Sequence, residues 1–300
     1  MAFGYSGVAY FFFFSAYGLA YKFNKSDDIP YWAFVKTRLI KLYIPILLST
    51  AFLLIFISLF GKYGTHARFS AYHLLLQLAT LINFTSSYAA VIVGPWWFLG
   101  AIIQLYLVLH ILMWGAKKYG NYFLLGISVF SVIILMLFNN MLSEYIFLKK
   151  NIIGWLPEVA LGIYFVRSSK IEVTNLQASA LAMLCLFIYL VGNVYEFFWY
   201  FSSFAILLFC IILSHPILLL VHKFKRLDGF LNYTGKISVY MFLVNGIIRE
   251  PLIELYSRPE SPLLTHSIWS LIILFLSFSV SAILMLVQEK ITLALPRGAA

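Results

Sequence analysis

Arg38 and Lys41 lie three positions apart at the head of a long apolar run, so on a helix they share one face. Two fixed cations where a helix enters a membrane can hold the phosphates of a polyanionic cytoplasmic ligand, such as a nucleotide-bearing cofactor. The same pairing also serves as a plain topology anchor. His66, His73, His110, His215, His222 and His266 are the side chains able to act as a base near neutral pH. His215 stands out because Pro216 follows it, and that proline strips a carbonyl four residues back of its helical donor. His215 then either bonds the loosened backbone or another helix, or works as a base. Glu158, after Pro157, falls near the middle of the apolar run 152–167. A carboxylate there must be paired, protonated or wetted. It reads either as a cavity-lining acid that orients a base or a hydroxyl, or as half of an interhelical pair with His215 or Arg38. His215 and Glu158 are therefore the catalytic candidates, and Arg38 and Lys41 the cofactor-binding ones.

Other chemistry has no spacing to support it. Cys185 and Cys210 both sit in apolar runs and read as small buried hydrophobes, with no disulfide framework or zinc spacing. No metal site is expected. No phosphate-cradling glycine loop, HExxH or GxSxG occurs. Trp96 and Trp97, after Gly94-Pro95, read as aromatic-belt residues at an outer boundary, and Arg249-Glu250-Pro251 as an interfacial anchor.

The elements that must position these residues are membrane helices. Of 300 residues, 63% are hydrophobic and only 11% charged, against about 25% charged in soluble domains. That excludes a soluble globular enzyme, a disordered chain and a basic nucleic-acid binder. The net charge of +10 reports loop topology instead. Apolar runs near the required length of ~20 residues occupy 2–21, 42–60, 96–114, 121–138, 152–167, 176–192, 198–221, 236–255 and 267–288. A shorter run, 71–84, suits a helix that does not cross. Leaving it uncrossed puts most of the 21 basic residues on one side, including Lys22, Lys25, Lys36, Arg38, Lys41 and the cluster Lys223, Lys225, Arg226 and Lys236. Crossing it would send most of them to the other side, against the positive-inside rule. The sequence thus predicts an all-α polytopic bundle of nine spans in one domain, 1–300, with an outer N-terminus and a cytoplasmic C-terminus. Residues 1–21 are apolar from the start, with no basic stretch before them. They read as a spanning helix rather than a cleaved signal, and opening in mid-helix predicts a segment upstream.

Several stretches resemble a known family. Gly4-Tyr5-Ser6-Gly7-Val8-Ala9-Tyr10-Phe11-Phe12-Phe13-Phe14-Ser15-Ala16-Tyr17 is similar to the second helix of the membrane acyltransferase 3 family, G-x-x-G-V-D-x-F-F-x-x-S-G-F. Arg38-Leu39-Ile40-Lys41-Leu42-Tyr43-Ile44-Pro45 resembles its R-x-x-R motif. Trp97-Phe98-Leu99 with Gln104, Tyr106 and Leu107 looks like W-S-L-x-x-E-x-Q-F-Y-L. Leu231 to Tyr240 is similar to L-G-K-I-S-Y-S-I-Y-L, and Gln288-Glu289-Lys290 to the close of the last helix. The stretches follow the family's order along almost the whole chain.

The resemblance implies a bacterial cytoplasmic-membrane enzyme. It would take an acyl group, typically acetyl, from cytoplasmic acyl-CoA as co-substrate, with no permanently bound cofactor. The acceptor would be a hydroxyl of a surface glycan or lipid-linked sugar, and the other partners membrane lipids. Arg38 and Lys41 would hold the CoA phosphates. The family's proposed catalytic His lies in a first helix with no counterpart here. Its Asp is Ala9, the Gly of S-G-F is Ala16, its acidic residue after W-S-L is Ile102, a frequent His is Asn245, and its second Arg is Lys41. Lys41 keeps the charge without the guanidinium fork. Two other readings follow: a transporter or flippase-like membrane protein, and an inactive truncated relative.

Overall fold

A computed structural model describes residues 2–25, 30–60, 71–84, 93–168, 174–221, 223–256 and 263–294. They form ten α-helices: α1 Ala2–Lys25, α2 Tyr31–Phe60, α3 Ala71–Leu78, α4 Trp97–Tyr119, α5 Asn121–Leu142, α6 Leu156–Arg167, α7 Asn175–Val191, α8 Glu196–Val221, α9 Lys225–Tyr256 and α10 Leu263–Ala294. No strand occurs among the described residues. Each predicted run falls on one helix, and the short run 71–84 holds α3 and a following 3-10 turn, Ile82–Phe84.

The nine expected spans are not all upheld by length and composition. Five helical segments among the described residues are long and apolar enough to cross a membrane: Tyr31–Leu59, Gly94–Tyr119, Asn121–Leu142, Phe197–Ser214 and Ser267–Ile291. α1 and α9 have the length but fall short of that apolarity over their described side chains, while α7 has 17 residues and α6 has 12. In α6 the reason is local. Pro157 sits in the first turn, where its missing N–H costs nothing. The apolar residues before it, Ile152–Trp155, wind as a 3-10 turn, so the run 152–167 is only partly α-helical.

The chain divides into two compact units. The first comprises 1–31 and 100–225. In it α1 packs along α6 and α8, α7 along α8, and α5 along α6. Small residues set the α1–α6 approach: a Cβ at Gly162 would stand 2.6 Å from the Phe13 carbonyl oxygen and 3.0 Å from the Tyr17 nitrogen. Such backbone proximity is how membrane helices gain dispersion contact without a hydrophobic drive between them. α7 opens on a reciprocal cap, with Gln177 N–H donating to Thr174 Oγ1 at 3.3 Å and Thr174 N–H to Gln177 Oε1 at 3.0 Å.

The second unit comprises 32–99 and 226–300. Its core joins Ile46 and Leu53 of α2, Leu243 and Ile247 of α9, and Val93, Trp96 and Leu99. Trp96 is not a belt residue. It is 1% exposed, and its indole N–H donates to the Leu243 carbonyl at 3.0 Å. A buried indole needs that acceptor. Gly246 admits the Gly94–Trp96 turn, since a Cβ there would meet Val93 Cγ1 at 2.6 Å. The Tyr240 hydroxyl donates to Gln288 Oε1 at 2.6 Å, tying α9 to α10.

Candidate functional site

Among its described residues the first unit buries the charged side chains of Lys149 and Glu158 in a polar cluster built on the connection between α5 and α6. The chain leaves α5, makes a 3-10 turn at Leu148–Lys150, and turns again at Ile152–Trp155. Gln104 of α4 fixes the junction: its Nε2 donates to Asn151 Oδ1 at 2.8 Å, and its Oε1 accepts from the Ile152 N–H at 2.8 Å. Ser131 of α5 donates to the Ile153 carbonyl. Gly154 is required, because a Cβ there would lie 2.8 Å from Lys149 Cα. The two turns therefore fold tightly over each other, and the Trp155 indole N–H reaches back to the Lys149 carbonyl at 2.8 Å.

This fold-back drives the Lys149 side chain inward, to 2% exposure. Its ammonium donates to the Gly154 carbonyl and to Ser203 Oγ of α8, each at 3.2 Å. It also lies 4.7 Å from the centroid of the Trp155 ring and 5.8 Å from that of Trp199, where the negative ring faces favour a cation. Burial pushes this ammonium below the usual lysine range, and the nearby Glu158 carboxylate pulls it partly back. Ser203 in turn donates to Glu158 Oε1 at 3.0 Å. The hydroxyl thus relays between cation and carboxylate.

Glu158 is 1% exposed. It stands in the first turn of α6, not at mid-span as the apolar run suggested. Among the described residues its side-chain hydrogen-bond partner is Ser203; the side chain of His215, one of the two partners considered from sequence, lies outside them. The second Glu158 oxygen, Oε2, has no hydrogen bond among the described residues. A cavity of about 680 Å³ lies between α5, α6 and α8; Lys149 and Glu158 border it with almost none of their surface exposed, and its other lining is mainly apolar and aromatic, such as Leu135, Leu161 and Phe204.

The remaining candidates sit elsewhere. Arg38 and Lys41 lie one turn apart on α2 in the second unit, Arg38 half-buried with its guanidinium 5.8 Å from the Phe34 ring centroid, Lys41 exposed. His215 lies in α8, which runs on through Pro216, but its side chain is outside the described residues. So are the side chains of His73 and His266, and all of His66 and His222. His110 on α4 meets the rings of Phe23 and Tyr31 edge-on, with centroids at 4.7 and 5.0 Å. Arg249 and Glu250 pair at 3.4 Å on α9, each partly exposed. Among the described residues no three His, Cys, Asp or Glu side chains gather as a metal site.

Sequence reasoning missed Lys149 and Ser203. In the sequence Lys149 is only one of two adjacent cations between apolar runs, and Ser203 one polar residue inside the run 198–221. The available signal was Glu158 itself, whose burial demands a donor, together with Gly154 and Trp155 marking a tight turn next to a lysine.

The family model described as an acyltransferase domain, that of the acyltransferase 3 family, matches residues 1–286. No curated protein and no solved structure is matched.

Proposed function

The chain belongs to the acyltransferase 3 family of membrane acyltransferases, and from that premise we propose that it moves an acyl group, acetyl in the simplest case, from cytoplasmic acyl-CoA to a hydroxyl of a glycan or lipid-linked sugar. The match over 1–286 carries this reading. In the reaction the acceptor oxygen attacks the thioester carbonyl, a C–O bond forms, the C–S bond breaks, and CoA leaves as its thiol. The acceptor's proton must pass to a base. His215 and Glu158 are the candidates within this chain.

Arg38 and Lys41 suit the donor end. They add two cations on one helix face, and CoA is a polyanion whose phosphates such a pair can hold. We place them at the cytoplasmic membrane boundary, in a nine-span topology with α3 uncrossed, an outer N-terminus and a cytoplasmic C-terminus. The charge bias of the loops supports this orientation.

The test uses membrane vesicles holding the full chain, acyl-CoA labelled in the acyl group, and recovered lipid and glycan fractions. Label should enter an alkali-labile ester. Arg38→Ala should abolish transfer at normal membrane levels, and Arg38→Lys should restore part of it, since charge returns without the fork. Full activity of Arg38→Ala would remove Arg38 from the mechanism. Transfer of label to no hydroxyl acceptor would overturn the reading.

A further inference from the structure

We propose that the tip of the α4–α5 hairpin binds the head group of an anionic phospholipid, with Lys117 and Lys118 on its phosphate. Three observations carry this. The first is how firmly the tip is built. Only Gly120 separates α4 from α5, in a left-handed turn at φ 70° that favours glycine. Its N–H donates to the Ala116 carbonyl at 3.0 Å. Gly115 lets the Phe123 ring lie against α4, where a Cβ would strike it. Lys117 and Lys118 stand in the last turn of α4, and both are exposed.

The second is the charge. No Asp or Glu occurs between Asp28 and Glu144, so neither helix of the hairpin carries an acid. Among the described residues neither lysine has a carboxylate partner. The backbone does not neutralise them either. The carbonyl end of α4 and the amide end of α5 meet at the tip, and their partial charges of about −0.5 and +0.5 cancel. Two adjacent ammonium groups therefore keep their full charge and repel, and a phosphate between them relieves this.

The third is depth. Gly94–Tyr119 and Asn121–Leu142 are both long and apolar enough to cross a membrane, so the tip between them lies where the chain leaves the hydrocarbon. Trp114 and Tyr119 are 57 and 53% exposed, and their rings meet edge-on with centroids 6.1 Å apart. Exposed rings of this kind sit at head-group level. Lys118 Nζ lies 5.0 Å from the Trp114 centroid and 5.1 Å from that of Tyr119. The ring faces thus hold the cation at the depth of lipid phosphates, where a bare lysine stem would reach on into water. The same contact sets the head group. A zwitterionic lipid would bring a choline to aromatic faces that the Lys118 ammonium already occupies. A net-anionic lipid, phosphatidylglycerol in the simplest case, brings the phosphate without a second cation.

The binding needs no acyl donor, and nanodiscs present both membrane faces, so its outcome is separate from the acyl-transfer reading and from the topology. The full chain is placed in phosphatidylcholine nanodiscs. These carry a small, equal share of either phosphatidylglycerol or phosphatidylcholine with a diazirine next to the glycerol, and the labelled peptides are mapped. A cation near an anionic membrane surface contributes a factor of about five, so label on Trp114–Phe123 should be about five- to twentyfold higher from phosphatidylglycerol. Lys117→Gln with Lys118→Gln should abolish that preference. Lys118→Arg should keep it, since the guanidinium retains the charge and stacks on the rings. Both positions are exposed, so these variants fold. Excess glycerol 1-phosphate should not compete, because a free phosphate is not delivered at that depth. Equal labelling by the two lipids would leave the lysines as topology anchors only. A preference that survives the double substitution would belong elsewhere, and displacement by glycerol 1-phosphate would make the tip a site for soluble phosphates. Each of these results would overturn the proposal.

Discussion

Removing the Lys149 ammonium should destabilise the first unit far more than removing the ammonium and its carboxylate together. The perturbations are Lys149→Met, Glu158→Gln and the double substitution. Lys149→Met keeps the stem's volume and deletes two hydrogen bonds of 3.2 Å and the contacts with Trp155 and Trp199. It leaves a carboxylate at 1% exposure with Ser203 as its one side-chain donor among the described residues. Breaking a buried pair on one side costs about 3–5 kcal/mol. Glu158→Gln leaves the converse, a buried ammonium without its anion, and falls in the same range of about 3–5 kcal/mol. The double substitution removes both charges from a site that desolvated them, and such replacements come out near neutral. The double variant should therefore fall short of the summed single losses by at least ~2–3 kcal/mol. Reversible unfolding of the detergent-solubilised protein in dodecyl sulfate, followed by tryptophan fluorescence, measures all four states of this cycle. Losses that add to within about 0.5 kcal/mol would show two independent sites and refute the relay through Ser203.

The same titration reads three other substitutions. Gly162→Ala should cost about 1–3 kcal/mol by forcing α6 off α1, because its Cβ would start 2.6 Å from the Phe13 oxygen; native stability would show that the helices can part freely there. Trp96→Phe removes the bond to Leu243 and part of a buried ring, while the Leu243 carbonyl keeps its helical donor, and should cost about 1–3 kcal/mol, whereas a belt residue would lose almost nothing. Gln104→Leu deletes both bonds that hold the α5–α6 junction and should cost about 2–3 kcal/mol. A loss below about 0.5 kcal/mol would show that the junction holds without Gln104.

Continuous apolar stretches made the helices legible. Every run found in the sequence carries one, and the short run at 71–84 carries the eight-residue α3. Apolarity does not tell a 3-10 turn from an α-turn, so the sequence placed α-helix over Ile152–Trp155 where the backbone winds as a 3-10 turn. Glu158 was legible because a lone carboxylate in an apolar run is costly wherever it lies. Its surroundings were not. Lys149 is nine positions away but reaches it only because Gly154 lets two turns stack, and Ser203 comes from a helix 45 positions on. Trp96 failed in the same way: its acceptor, Leu243, is 147 positions distant, and no local pattern separates a tryptophan at an interface from one that bonds a remote carbonyl.

The brevity of α6 bears on how the protein is made. Its 12 residues rise about 18 Å, against a hydrocarbon layer of about 30 Å, and its first turn holds Glu158. Such a segment does not partition into lipid by its own hydrophobicity. It is stowed by its neighbours, chiefly α1, whose backbone it approaches at Gly162. α1 leaves the ribosome roughly 150 residues earlier, which at ~5–20 residues per second is a wait of about 8–30 s. During that interval the groove on α1 around Phe13 and Tyr17 stands without the helix that fills it. Assembly of the first unit is thus timed by its shortest long-range partner, and a ribosome stalled before α6 leaves α1 threaded but unsealed.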